Sequence, residues 1–297
     1  MKNQNDIPLM SPKVDFVFKR IFGNPEMPEI LISFLNAVFD CSGNDKIVTV
    51  SIQNPNIDKK CINDKYSILD VRAKANDNTI VDIEIQIANN SDMVKRTVYY
   101  LSKLIEEQIF EGDDYTKLIK SVTINIVNFV VVQNDRVHNS FMFKEIDTNE
   151  ILTDVAQIHF LELPKLNKNG KIGNELLKDW LLFIENPEGK EVSMIAEKIP
   201  EINMAAEQLK VLSHDSQARI EYEQRQKSLH EKVSSLNFAR KEGEKKSLLR
   251  QMKRKFNIGQ SEENIIVLCV DNDLIEQALD MIIDNAEKDE ILNLFRH

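Results

Sequence analysis

Glycine is scarce in this chain, with eight in 297 residues. None falls in the G-x-x-x-x-G-K or G-x-G-x-x-G spacing by which backbone amides cradle a phosphate, so neither the P-loop nor the dinucleotide-binding class fits. Cysteine is scarcer: Cys41, Cys61 and Cys269 are odd in number and form no C-x-x-C. A disulfide framework and a zinc site are both unsupported, and buried, inert thiols are expected. No apolar run approaches the roughly 18 residues needed to cross a bilayer, and the opening MKNQNDIPLM lacks the apolar segment of a signal peptide. A cytoplasmic protein without membrane association is expected. No Ser/His/Asp nucleophile context appears. His138 and His159 have no acidic or Cys companion at ligand spacing and read as surface or core residues.

What is present is an ordinary globular composition, 42% hydrophobic and 29% charged, long enough for one large domain and an appendage. The net charge of −10 argues at first against a polyanionic partner. The charge is uneven, however: residues 240–255, RKEGEKKSLLRQMKRK, hold eight basic and two acidic side chains. Three readings of that strip stand open: a solvated helix face, a surface docked on acidic residues within the molecule or across a dimer, and a contact to nucleic acid.

The chain is organised around residues 67–87, SILDVRAKANDNTIVDIEIQI. Val81, Ile83, Ile85 and Ile87 share one face of a strand, and Asp82, Glu84 and Gln86 the other. The preceding arm sets Leu69, Val71 and Ala73 against Ile68, Asp70 and Arg72. Asn76-Asp77-Asn78 between the arms tolerates the left-handed conformations of a tight turn. A turn centred on Asp77 pairs residues whose numbers sum to 154, placing Asp70 opposite Glu84 and Arg72 opposite Asp82. Carboxylates on opposed positions, with Cβ atoms about 5 Å apart, repel each other unless a hard cation lies between them. A solvated outer face on an edge hairpin is the competing reading.

Four ordered blocks carry a resemblance: SPKVDFVFKRIFG, ILISFLNAVF, LDVRAKANDNTIVDIEIQ and KRTVYYLSKL. Across residues 10–165 they resemble the Rpn (recombination-promoting nuclease, putative transposase) family of the PD-(D/E)XK nuclease superfamily, with Asp70 and then Glu84-Ile85-Gln86 in the place of its motif. The departure is Gln86, where the superfamily most often has Lys. The resemblance implies an α/β fold, a restriction-endonuclease-like core of a mixed central sheet flanked by helices, followed by an all-helical C-terminal region. It implies a divalent-metal-dependent DNA endonuclease using Mg²⁺, or Mn²⁺ or Ca²⁺ in its place, linked to recombination or mobile-element biology. Asp70, Glu84 and Gln86 would be catalytic; Asp70, Glu84, the Ile85 carbonyl and Asp15 would hold metal; Arg96, Tyr99, Tyr100, Lys103 and Lys19 would meet DNA. Asp82, paired with Arg72, would be supporting. The alternative is a nuclease-like fold with weak or no cleavage, retained to bind DNA or protein.

Read in order, Ser11-Pro12 opens a helix to Phe22, in which Asp15 and Lys19 form an i, i+4 pair. Pro28 opens another to Phe39, and residues 47–52 form a strand. A helix over residues 92–111 puts Val94, Val98, Leu101, Leu104, Ile105 and Ile109 on its core face. Residues 121–132 read as a strand buried on both faces, and 137–143 and 155–161 as two more. Residues 174–184, with the only tryptophan, form an amphipathic helix, and everything beyond is helical. Three regions are expected: residues 1–185, nuclease-like; 186–255, charged and helical; 256–297, a small helical unit that must pack on a neighbour. A homo-oligomer through the helical region is a further expectation.

Overall fold

A strand whose two faces differ in polarity can lie inside a sheet only if something covers each face, and this requirement shapes the fold. The computed structural model describes residues 7–53, 71–76, 78–88, 92–269 and 271–296. Contacts divide the chain into two compact units, Met1–Gln226 and Lys227–His297.

The first unit holds a six-stranded mixed sheet in the order β1-β2-β3-β4-β6-β5. Its strands are β1 (Val50–Gln53), β2 (Val71–Ala75), β3 (Thr79–Gln86), β4 (Lys120–Val127), β5 (His138–Lys144) and β6 (Ile151–Glu162). β3, β4 and β6 run parallel, and the other neighbours are antiparallel. The β2–β3 hairpin has the expected register, with Arg72 opposite Asp82 and Val71 opposite Ile83. Asn76 takes the left-handed conformation at its turn, φ 46°. Asp70 and Asp77 lie outside the described residues.

The helices α1 (Asp15–Phe22), α2 (Pro28–Phe39) and α5 (Glu175–Glu185) share one core with Val81, Ile83, Val122 and Ile124. Trp180 is fully buried, 5.4 Å from Phe22 edge to face, and its indole N–H reaches the Ser33 hydroxyl at 3.2 Å. That one side chain ties α5 to α1 and α2. The other sheet face is covered by α3 (Met93–Glu106). Short helices α4 (Leu163–Leu166) and α6 (Lys190–Ala196), then α7 (Pro200–His214) and the start of α8 (Ser216–Phe256), complete the unit. The core thus runs through residue 222.

Several strand and helix ends differ from the sequence reading, and at β1 and β4 side chains take over the backbone hydrogen bonds. Residues 47–49 stay outside β1: the Asn36 amide bonds Ile47 N and O at 2.8 and 2.9 Å, and Asn76 Oδ1 accepts from Val48 N. β4 stops at Val127, and Glu162 Oε2 accepts from Val131 N at 2.9 Å in the segment beyond. α1 begins at Asp15, after a turn in which Ser11 O accepts from Val14 N. The phase of α3 also differs. Its buried residues are Met93, Thr97, Tyr100, Leu101 and Leu104, while Val94 and Val98 are exposed.

His138 and His159 are neighbours on the α2 and α5 side, with Nε2 and Nδ1 2.8 Å apart. Burial, the largest cause for both, pushes them down to about 4 and about 3, so they form a neutral core pair.

The second unit packs Leu248 and Met252 of α8 against α9 (Gln260–Leu268), α10 (Asn272–Ile283) and α11 (Lys288–Asn293). Half of the basic strip is used here. Lys245 Nζ donates to Val267 O and Cys269 O at 3.0 and 2.7 Å, and Lys255 Nζ to Ile282 O at 3.0 Å. Arg240 pairs with Glu244 and Glu276, and Lys253 with Glu263. Lys241, Lys246, Arg250 and Arg254 are exposed.

In the first unit, the buried pair Lys165–Glu162 (2.9 Å) also anchors Val132 O and the Asn134 amide. Lys165→Met would leave the Glu162 carboxylate buried without its cation, so it should cost about 3–5 kcal/mol in urea unfolding. Adding Glu162→Leu should recover part of that loss. A cost for Lys165→Met under about 1 kcal/mol would show that the pair is not what holds this corner.

Candidate metal and DNA site

The strand alternation that sends Val81 and Ile83 into the core turns Asp82, Glu84 and Gln86 toward α3. In β4, paired with β3 in parallel, Thr123 lies beside Asp82 and Asn125 beside Glu84. These residues and the underside of α3 form a polar layer inside the protein: Asp82, Glu84, Thr123 and Asn125 are all less than a tenth exposed. The solvated edge face considered from the sequence is absent, because β3 is an inner strand covered by a helix.

Arg96 reaches Glu84 from above, its Nη2 on Oε1. One residue on, the Thr97 hydroxyl donates to Asn125 Oδ1 at 3.0 Å, and the Asn125 amide donates to His159 O at 3.1 Å. These contacts explain the phase of α3, whose inward face is chosen by polar partners as much as by apolar ones. A cation so near a helix N-terminus is opposed by the helix dipole, typically by about 0.3–1 kcal/mol. Helix stability therefore does not account for Arg96, and Glu84 does.

Toward the other end of α3, Arg72 Nη1 binds Glu107 at 2.7 Å, and its Nε stands 3.9 Å from Asp82 Oδ1. That separation permits Coulomb attraction and is too long for a hydrogen bond. Asp82 Oδ1, Arg72 Nε, Arg96 Nε and Thr123 Oγ1 are consequently buried without hydrogen-bond partners among the described residues. Burial is the main reason the Asp82 carboxyl is pushed up to about 7, with Arg72 pulling down and Glu107 and Glu84 pushing up.

The remaining sequence-derived residues fall as follows. Asp70 lies outside the described residues. Gln86 is half-buried, and its amide nitrogen donates to Ala88 O at 3.0 Å, which turns the carbonyl end of the amide to accept. Ile85 is buried and its backbone lies in the β3–β4 ladder. Asp15 is on α1, which belongs to the core on the opposite face, and its Oδ2 is held by Arg225 at 3.1 Å. Lys19 lines a cleft beside Phe16 and Gln208. Tyr99 is about half exposed, Tyr100 is buried with Arg96 over its ring at 5.4 Å, and Lys103 pairs with Glu106 at 3.3 Å. Thr97, Glu107, Thr123 and Asn125 were not singled out from the sequence. The signal lies in SVTINIV, where polar residues at 121, 123 and 125 interrupt an otherwise apolar run at strand spacing.

No group of three His, Cys, Asp or Glu side chains gathers for a metal among the described residues. The donor chemistry nonetheless suits a hard divalent ion: Asp82 and Glu84 are buried carboxyl groups on one strand face, and Asp82 Oδ1 has no hydrogen-bond partner among the described residues. Mg²⁺ keeps several waters and binds through one or two carboxylates.

The raised Asp82 pKa sets a pH dependence. The folded state keeps its proton up to about pH 7, whereas the unfolded chain releases it near 3.9. This contribution to stability is full below about pH 4 and is lost as pH rises through 7. Asp82→Asn should remove that decline, gaining on wild type by up to about 4 kcal/mol between pH 4 and pH 8 in metal-free denaturant melts. Parallel stability profiles for the two proteins would contradict the assignment.

Comparison with known proteins adds the lineage. No curated protein and no solved structure matches this chain. A family model, PD-(D/E)XK nuclease family transposase, matches residues 12–239, a span that includes the whole sheet, α3 and the first half of α8. With that match over most of its length, the chain belongs to the PD-(D/E)XK nuclease family transposases.

Proposed function

We propose that this protein is a divalent-metal-dependent DNA endonuclease of the Rpn type, acting in recombination or in the biology of mobile elements. The observation that carries the reading is Glu84 buried at the carboxyl end of the parallel β3–β4 pair, with Gln86 two residues on and the N-terminal part of α3 above it. Open α/β sheets bind ligands at this end of their strands, and a helix N-terminus favours phosphate. Family membership supports a nuclease fold and a DNA substrate.

Glu84 and Asp70, with the Ile85 carbonyl, would hold the ion. A Mg²⁺-like ion held there would supply Lewis-acid polarisation of the scissile phosphate and a coordinated water of lowered pKa. Gln86, its amide nitrogen already turned to Ala88 O, would use the carbonyl oxygen to orient that water. Asp82 and Arg72 support the layer. Tyr99 and Lys103 would meet the DNA backbone and bases, and Tyr100 would position Arg96 from beneath; Asp15 and Lys19, on α1 at the other face of the sheet, have no role in this reading.

A second reading is favoured by one observation: Glu84 is engaged by Arg96, and Gln86 has no charge with which to activate water. On that reading the chain is a nuclease-like DNA-binding module with weak or no cleavage. Plasmid DNA incubated with Mg²⁺, Mn²⁺, Ca²⁺ or EDTA separates the two. Metal-dependent nicking should appear, and Asp70→Ala and Glu84→Gln should each lower it by roughly 100-fold or more with the fold retained. Cleavage that survives EDTA or either substitution would defeat the enzyme reading at this site.

Gln86→Lys gives a further check, since it restores the superfamily's commoner cation beside the attacking water. Cleavage should be kept or increased. Loss of cleavage with metal affinity unchanged would assign the essential role to the amide oxygen.

A further inference from the structure

Among the described residues Arg96 is placed directly on the candidate metal-binding carboxylate, and its setting is unusual in three respects. It is the fourth residue of α3, where the helix dipole opposes positive charge. It donates from Nη2 to one oxygen of Glu84, and its Nε is buried without a hydrogen-bond partner among the described residues, although a guanidinium has five donors in a fork suited to two oxygens at once. It is also the outer member of the pair: its side chain is 19% exposed and that of Glu84 is 8% exposed. The neighbouring Thr97–Asn125 bond fixes the helix, so Arg96 can leave the carboxylate by side-chain rotation alone.

The charges explain why it would leave. Around Glu84 the layer holds two carboxylates, Asp82 and Glu84, and two guanidiniums, Arg72 and Arg96, with Glu107 at the rim. Among the described residues, and without a metal ion, Arg96 supplies the counter-charge to Glu84 while Arg72 serves Glu107 and, at longer range, Asp82. A divalent ion on Glu84 replaces Arg96 as its counter-charge and leaves a guanidinium in a poorly solvated place with no anion. A phosphodiester oxygen pair supplies that anion in the geometry the fork prefers.

We propose that Arg96 is a phosphate clamp held in reserve by Glu84 and released by metal binding, so that loading of the ion and grip on the DNA backbone are coupled. The proposal rests on the nuclease-site reading above and names a regulation of that same site. Coupling of this kind is reciprocal: DNA must raise metal affinity by the same factor by which metal raises DNA affinity.

The test uses the full chain at pH 8 and reads binding instead of cleavage. Mn²⁺ affinity is measured by calorimetry without DNA for wild type, Arg96→Met, Arg96→Lys and Glu84→Gln, and duplex DNA affinity by fluorescence anisotropy with and without Ca²⁺. Removing the competitor in Arg96→Met should tighten Mn²⁺ binding by about 5-fold or more. The gain in DNA affinity on adding Ca²⁺, present in wild type, should largely disappear. Arg96→Met should also melt lower without metal and gain more in Tm from Mn²⁺ than wild type does. Arg96→Lys, which keeps the charge and loses the fork, should fold and lose at least half of the Ca²⁺-dependent DNA gain; should Arg96→Met fail to fold, this variant decides. Unchanged or weaker Mn²⁺ binding in a folded Arg96→Met would overturn the clamp and leave the nuclease site standing. A Glu84→Gln protein that binds Mn²⁺ as wild type does would instead remove the site reading, and the clamp with it.

Discussion

Buried carboxyl groups on an inner strand are the constraint around which this molecule is built. Leaving a charge such as Glu84 unpaired beneath a helix would cost several kcal/mol, and α3 is the element that meets it. Arg96 answers Glu84, and Arg72 answers Asp82 incompletely. Thr97, Asn125 and Thr123 supply a polar floor for the same layer. The opposite face of the same strands is wholly apolar and carries the stability, through the aromatic group of Phe18, Phe22, Phe34 and Trp180. One sheet therefore separates the two tasks: the α1, α2 and α5 side holds the fold together, and the α3 side tolerates unsatisfied groups that a folding core could not.

Membership of a nuclease family gives that tolerance a purpose. Buried polar atoms without partners are rare in native proteins and call for an explanation. Here four of them, on Arg72, Asp82, Arg96 and Thr123, gather within one layer. The parallel pairing of β3 with β4 sets Asp82 beside Thr123 and Glu84 beside Asn125, so these groups share one layer beneath α3.

The hairpin was legible from the chain because two independent signals agreed: alternation fixed which residues share a face, and Asn76-Asp77-Asn78 fixed the turn, so the register of Arg72 with Asp82 followed. Helix 28–39 was equally plain, with proline at its first position. The phase of α3 was not legible. Hydrophobic periodicity finds apolar stripes, and Val94 and Val98 formed one, yet the helix turns Thr97 inward because Asn125 waits beneath it. Polar groups buried against polar groups leave no trace in periodicity. The ends of β1 and β4 were misread for a related reason: Asn36, Asn76 and Glu162 supply from side chains the hydrogen bonds that a strand partner would give, and no local pattern announces a partner so far along the chain.

The lysines of the second unit have a consequence for how the protein responds to its medium. Lys245 and Lys255 are each bound directly to carbonyls at the end of a helix, α9 and α10 respectively. Contacts at hydrogen-bonding distance are far shorter than the screening length of about 8 Å at physiological ionic strength. These contacts should therefore persist through large changes in ionic strength. In salt titrations Lys245 and Lys255 will behave as helix-terminal fasteners, while the exposed Lys241, Lys246, Arg250 and Arg254 carry the salt-sensitive part of the helix's charge.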